Sequence, residues 1–126
     1  MLEYLKSQRE VLTMCNSLYE DSKPISKEGL GWKVFEKINS KLYPWASGDR
    51  KGLKPYIPGK WYRWSRPQEG DGFCFILTRS EARKFQHISG GGDVIRRIEY
   101  RGGLGCHFDD YLCVKMAICK QFRIIE

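Results

Sequence analysis

The stretch Phe73-Cys74-Phe75-Ile76-Leu77-Thr78-Arg79-Ser80-Glu81 decides the fold. Its first half is an unbroken apolar run, rich in aromatics and too short for a core helix, which reads as a buried strand. Thr78 and Glu81 then have the S/T-x-x-E spacing of a capping box. The Thr78 side chain satisfies a free backbone N–H, and Glu81 reaches back to the cap. A short helix is expected from there to about Gln86, ahead of Gly90-Gly91-Gly92. Upstream, Lys60-Trp61-Tyr62-Arg63-Trp64 reads as a strand between two loops, 46–59 with its glycines and prolines, and 65–72. Trp32 to Phe35 and Lys41 to Tyr43 flank Asn39-Ser40 and read as a hairpin.

At the amino-terminal side, Leu5, Leu12, Cys15 and Tyr19 recur at near-helical spacing among charged residues, which predicts an amphipathic helix over 2–20. The polar segment that follows, with Pro24 and Gly29, reads as a linker. Downstream, Val94, Ile95, Ile98 and Tyr100 form a strand, with Arg96 sharing a face with Val94 and Ile98. Gly102-Gly103-x-Gly105 reads as tight turns or a mobile loop, and residues 114–125 supply one or two closing strands. The expected fold class is α+β: a single domain with a mostly antiparallel sheet, one short helix and an N-terminal amphipathic helix. The expected parsing is an N-terminal helix over 1–22, a linker over 23–30 and an α+β domain over 31–126.

Leu42-Tyr43-Pro44, Tyr56-Ile57-Pro58-Gly59-Lys60-Trp61-Tyr62, Gly72-Phe73-Cys74-Phe75, Glu81-Ala82 and the segment from Val94 to Gly102 resemble a loose group of small phage and prophage proteins. That group shares the order Y-x-x-G-x-W/Y, G-F-x-x-F/C, E/D-A and a β-rich segment ending in Gly. The resemblance covers about residues 31 to 125 and implies a small phage-type α+β fold without a particular activity. Where members of the group often carry His after Gly-Phe, this chain has Cys74.

No apolar run approaches the roughly 20 residues that cross a bilayer. The first residues, broken by Lys6, Arg9 and Glu10, have no apolar core of a secretory signal, so a cytoplasmic protein without membrane attachment is expected. Five cysteines, an odd number, fit reduced thiols better than a disulfide framework, and Cys74, Cys113 and Cys119 sit in apolar runs that suit a core.

The net charge of +7 is concentrated. Lys37, Lys41, Arg50, Lys51, Lys54, Lys60, Arg63 and Arg66 face Asp49 alone between Lys37 and Gln68, and the same window holds Tyr43, Trp45, Tyr56, Trp61, Tyr62 and Trp64. Cations neutralise phosphates and aromatic faces stack on bases, so the mixture suits single-stranded nucleic acid or a nucleotide-like ligand. An acidic host protein surface is the second partner class, and an ordinary solvated strand the third reading. The candidate binding residues are Lys51, Lys54, Tyr56, Lys60, Trp61, Arg63, Trp64 and Arg66. Strand alternation places Trp61 and Arg63 on one face and Lys60, Tyr62 and Trp64 on the other.

Other chemistries are poorly served. Cys106, His107, Cys113 and Cys119, with Asp109 and Asp110, are metal-ligand types without the C-x₂₋₄-C knuckle of structural zinc sites, so no metal is expected. A thiol nucleophile would need His87 or His107 brought beside it by the fold. Tyr100-Arg101-Gly102 resembles the strand-end arginine of ADP-ribosyltransferases, but too little chain follows for their catalytic Glu. Neither glycine cluster matches a phosphate-binding fingerprint.

The expected function is therefore a small basic binding module, with an inhibitor that occludes a nucleic-acid site of a host defence system among its forms. No cofactor or catalytic residue is assigned. A small nucleotide-acting enzyme using Arg101, His107 and Asp109 or Asp110 is the alternative class. Association of copies through Leu5, Leu12 and Tyr19 is the third.

Overall fold

The computed structural model describes residues 22–44, 54–65, 72–89, 93–110 and 113–126. Strand β1 (Glu28–Ile38) turns at Asn39 and Ser40 into β2 (Lys41–Pro44). Both turn residues have left-handed backbones, with φ 51° and 66°, the two-residue geometry whose twist matches the flanking strands. Short strands β3 (Tyr62–Arg63) and β4 (Phe73–Phe75) follow. Helix α1 (Arg79–Ser89) then begins where the capping box puts it, with the Glu81 N–H donated to Thr78 Oγ1 at 3.3 Å. Long strands β5 (Asp93–Asp109) and β6 (Val114–Ile124) complete one antiparallel sheet in the order β2-β1-β5-β6-β3.

The sheet rolls until its edges meet. Along β6, Gln121 and Phe122 pair with β3 while Ala117 to Cys119 pair with β4. Beyond β4, Ile76 exchanges two 2.7 Å backbone hydrogen bonds with Trp32 on β1, and the Tyr56 N–H is donated to the Leu42 carbonyl of β2 at 2.8 Å. Closure encloses a core of Phe35, Phe75, Ile98, Tyr100, Cys119 and Phe122. Val34, Ile76, Ala82, Phe85, Val114 and Met116 form a second cluster, where α1 covers the outside of the roll. The helix is fastened by Glu81, whose carboxylate accepts the Lys115 N–H at 3.2 Å and is thereby held below the usual carboxylate range.

These observations correct the expected α+β class. Among the described residues the molecule is predominantly β, a curled antiparallel sheet carrying one helix. The N-terminal amphipathic helix lies outside the described residues, as does Gly90-Gly91-Gly92. The segment read as a linker runs against β5: Lys23 and Cys106 exchange two backbone hydrogen bonds, Ile25 packs on the core, and Glu28 opens β1.

The glycines at 102–105 do not end β5. Gly102 has φ 67°, the register shifts between Gly103 and Gly105, and the strand continues to Asp109. Glycine inside a strand commonly marks a bulge or a close backbone approach, and both apply here. The Gly103 N–H is donated to the Lys27 carbonyl at 2.9 Å, and a Cβ on Gly103 would run into the Ser26 carbonyl oxygen. Cys113, expected in the core, stands exposed with φ 56° in the turn before β6, whereas Cys106 and Cys119 are buried and Cys74 is half-buried.

Two consequences are measurable. Gly103→Ala forces the 26–27 segment off β5 and should destabilise the protein by about 1–3 kcal/mol, the usual range for overpacking. A lowered urea midpoint at constant m-value would show it, and an unchanged midpoint would mean the segment moves without cost. The second concerns pH. Burial, reinforced by Tyr62, pushes the Tyr56 phenol up to about 12, and burial does the same to the Cys119 thiol against the opposing pull of Lys33. The folded state therefore keeps protons that the unfolded chain releases at about 10 and about 8.5, so stability should fall as pH rises through this window towards 12. Urea midpoints measured from pH 9 to 12 should drop, and less steeply in Tyr56→Phe.

Candidate nucleic-acid interface

Alternation in the rolled sheet sorts its side chains by chemistry. Tyr62, Phe122 and Tyr100 occupy one cross-strand row and point into the core. Their neighbours along each strand must therefore point outward. Arg63, Gln121, Arg101 and Glu28 form one outward row across β3, β6, β5 and β1. Arg123, Glu99 and Leu30 form the next, with Trp61 at its end.

Trp61 gathers the arginines of these two rows. The Arg101 guanidinium lies 4.1 Å from its ring centroid and that of Arg123 lies 5.1 Å away. Arg123 Nε donates to Glu99 Oε1 at 2.6 Å, which fixes that arginine. Each cation–π contact is worth about 0.5–1 kcal/mol at an exposed site and favours a guanidinium held against the ring. One row further, Trp32 takes Arg97 at 5.6 Å and Arg79 at 5.7 Å. The face thus carries two tryptophans, each with two arginines, and Glu28 and Glu99 as its acids. Exposed arginine forks suit phosphate oxygens, and tryptophan or guanidinium planes suit bases.

The residues singled out from the sequence are scattered over this architecture. Trp61 and Arg63 lie on the outward face. Tyr56 is in the core rim, edge-on to Phe35, Tyr62 and Phe122 at 5.5, 4.8 and 5.3 Å. Trp64 packs edge-on against Phe73 at 5.1 Å, and Lys60 stands over the Tyr62 ring at 5.5 Å. Lys54 is exposed, and Lys51 and Arg66 lie outside the described residues.

Arg97 and Arg123 are not among the sequence candidates, and Arg101 is among them only for nucleotide chemistry. Their signal is the alternation Arg97-x-Glu99-x-Arg101 and Gln121-x-Arg123, polar at every second position beside inward aromatics. Of the residues considered for nucleotide chemistry, Arg101 is exposed, whereas His107 and Asp109 are buried. Asp109 lies eight residues further along β5, roughly 26 Å at strand rise. Among the described residues, no group of three or more His, Cys, Asp or Glu is placed to hold a metal ion, and no helix is long and apolar enough to cross a membrane.

The chain matches no protein-family model, no curated protein and no solved structure.

Proposed function

We propose that the protein is a binding module for single-stranded nucleic acid, which lies across the outward face of β3, β6, β5 and β1. The observation that carries this reading is the stacking of Arg101 and Arg123 on Trp61 beside Arg63. Planar groups for bases and forked cations for phosphates alternate on one rigid surface, so little ordering entropy opposes binding. Contacts of this kind are tolerant of sequence, and the affinity is expected to depend strongly on salt. A cytoplasmic setting and a role in occluding nucleic acid from other proteins are part of the same proposal.

Fluorescence anisotropy with a labelled oligothymidylate tests it. Arg63→Ala and Arg101→Ala should each weaken binding and lower the log K against log salt slope by about 0.7 per lost phosphate contact. Trp61→Ala should cost about 1–3 kcal/mol through lost stacking. Lys41→Ala, from the same basic window but on β2 and so outside these four strands, should leave the slope unchanged. Equal effects of Lys41→Ala and Arg101→Ala would reduce the interaction to net charge and sink the proposal.

A further inference from the structure

The open end of the rolled sheet holds a hollow of about 500 Å3, walled by Leu42, Pro55, Tyr56, Ile57 and Pro58, with Lys37, Lys41, Arg96 and Glu126 around its rim. Register explains why these groups meet. Lys37 pairs with Leu42 across the β1–β2 hairpin, and Leu42 belongs to the core, so both lie on the inner side of the sheet. Arg96 pairs with Lys33 and shares that side. The Ile125 N–H is donated to the Arg97 carbonyl at 3.0 Å, which carries the β5–β6 ladder one residue beyond Ile124 and sets Glu126 opposite Arg96.

The apolar wall is held in place. The Tyr56 N–H is donated to the Leu42 carbonyl on β2 and the Gly59 N–H to the Ile124 carbonyl on β6, both at 2.8 Å, and the Ile57 N–H is donated to Tyr62 Oη at 2.6 Å. This segment spans the end of the roll from β2 to β6 and leaves Ile57 57% exposed, a large apolar side chain open to solvent. A wall fixed in advance loses little entropy when a ligand meets it. Mouths of β-barrels are common places for small ligands, and the sites there combine apolar walls with a few polar groups that fix orientation.

The rim selects the charge. It carries three cations and one acid, and that acid stands opposite Arg96, which leaves Lys37 and Lys41 without a counter-ion among the described residues. A neutral apolar molecule would use the wall alone, and an inorganic anion the rim alone.

We infer that this hollow binds a small aromatic carboxylate, with its ring against Leu42, Ile57 and Pro58 and its carboxylate turned to Lys37 and Lys41. The rings of Pro55, Tyr56 and Pro58 give the wall rigid surfaces that suit a flat ligand, and a flexible chain would lose more rotamer freedom on entering. The site shares no residue with the Trp61 face, so it stands independently of the nucleic-acid reading.

Calorimetry on the full chain with naphthylacetate, its neutral analogue naphthylethanol, and acetate as probes tests it. Naphthylacetate is expected to bind one to one and acetate to give no binding. Naphthylethanol should bind about fivefold or more weakly than naphthylacetate, the loss expected for roughly one exposed ion pair at the upper end of its range. Lys37→Ala with Lys41→Ala should bring naphthylacetate down to the affinity of naphthylethanol and leave naphthylethanol unchanged, whereas Ile57→Ser should weaken both. Arg101→Ala should leave naphthylacetate binding as it is. The inference is overturned if naphthylacetate does not bind, if naphthylethanol binds as tightly in the wild type, or if the lysine pair has no effect. The wild-type comparison needs no variant, so misfolding of a variant cannot shelter the idea. A dimer in sedimentation that Ile57→Ser dissociates would assign the hollow to a second copy of the chain and overturn it as well. Naphthylacetate binding without oligothymidylate binding would sink the Trp61 face alone, and the converse result would sink this hollow alone.

Discussion

A single antiparallel sheet buries only one of its faces unless it rolls up, and here the roll is filled by rings meeting around Phe122. Phe73, Tyr56, Tyr62 and Phe35 approach it with centroids at 4.8, 5.3, 5.6 and 6.3 Å. They come from β4, the segment before β3, β3 itself and β1, so one side chain on β6 joins strands from both halves of the sheet. Aromatic pairs of this geometry are worth about 0.5–1.5 kcal/mol each beyond their buried area. Shape matters as much as energy: large flat side chains fill the interior of a roll whose long strands are β1, β5 and β6.

The same filling explains an inward lysine. Lys33 extends into the aromatic interior, 5.5 Å from the Phe122 centroid and 6.0 Å from that of Phe35, and its Nζ donates to the Cys74 carbonyl at 2.6 Å. A buried ammonium is costly unless it is hydrogen-bonded, and ring faces supply further negative potential. The lysine thereby ties β1 to β4 across the line where the roll closes, near the Trp32 and Ile76 bridge. It also acts on Cys119, whose thiol burial raises and Lys33 lowers, and burial wins. Cys119 is consequently a space-filling group, inert as a nucleophile at neutral pH.

The local signals in the sequence were those that depend on neighbours. The Asn39-Ser40 turn, the Thr78 cap and the Trp61/Arg63 alternation all follow from residues a few positions apart. What failed needed long-range pairing. Gly102 to Gly105 reads as a loop until the 26–27 backbone is seen pressed against it, and the polar 23–30 segment reads as a linker until Lys23 pairs with Cys106. Charge misled in the same way. Counted along the chain, everything outside Lys37 to Gln68 balances, yet Arg97, Arg101 and Arg123 come together on one face because strands β5 and β6 pair there. The basic window, conversely, is divided by the fold: Lys37 and Lys41 go to the end of the roll, Arg63 to the outward face, and Tyr56 and Tyr62 to the core.

Trp32 serves the closure of the roll and the seating of the helix at once. Its backbone holds the bridge to Ile76, and its ring packs on the cluster beneath α1, with Arg97 of β5 at 5.6 Å and Arg79 of α1 at 5.7 Å from its centroid. The backbone hydrogen bonds join β1 to the segment after β4, while the ring joins β1 to the helix on the outer side of the sheet. A smaller side chain at this position would therefore leave the bridge intact and loosen the helix, because the two contacts are made by different parts of one residue.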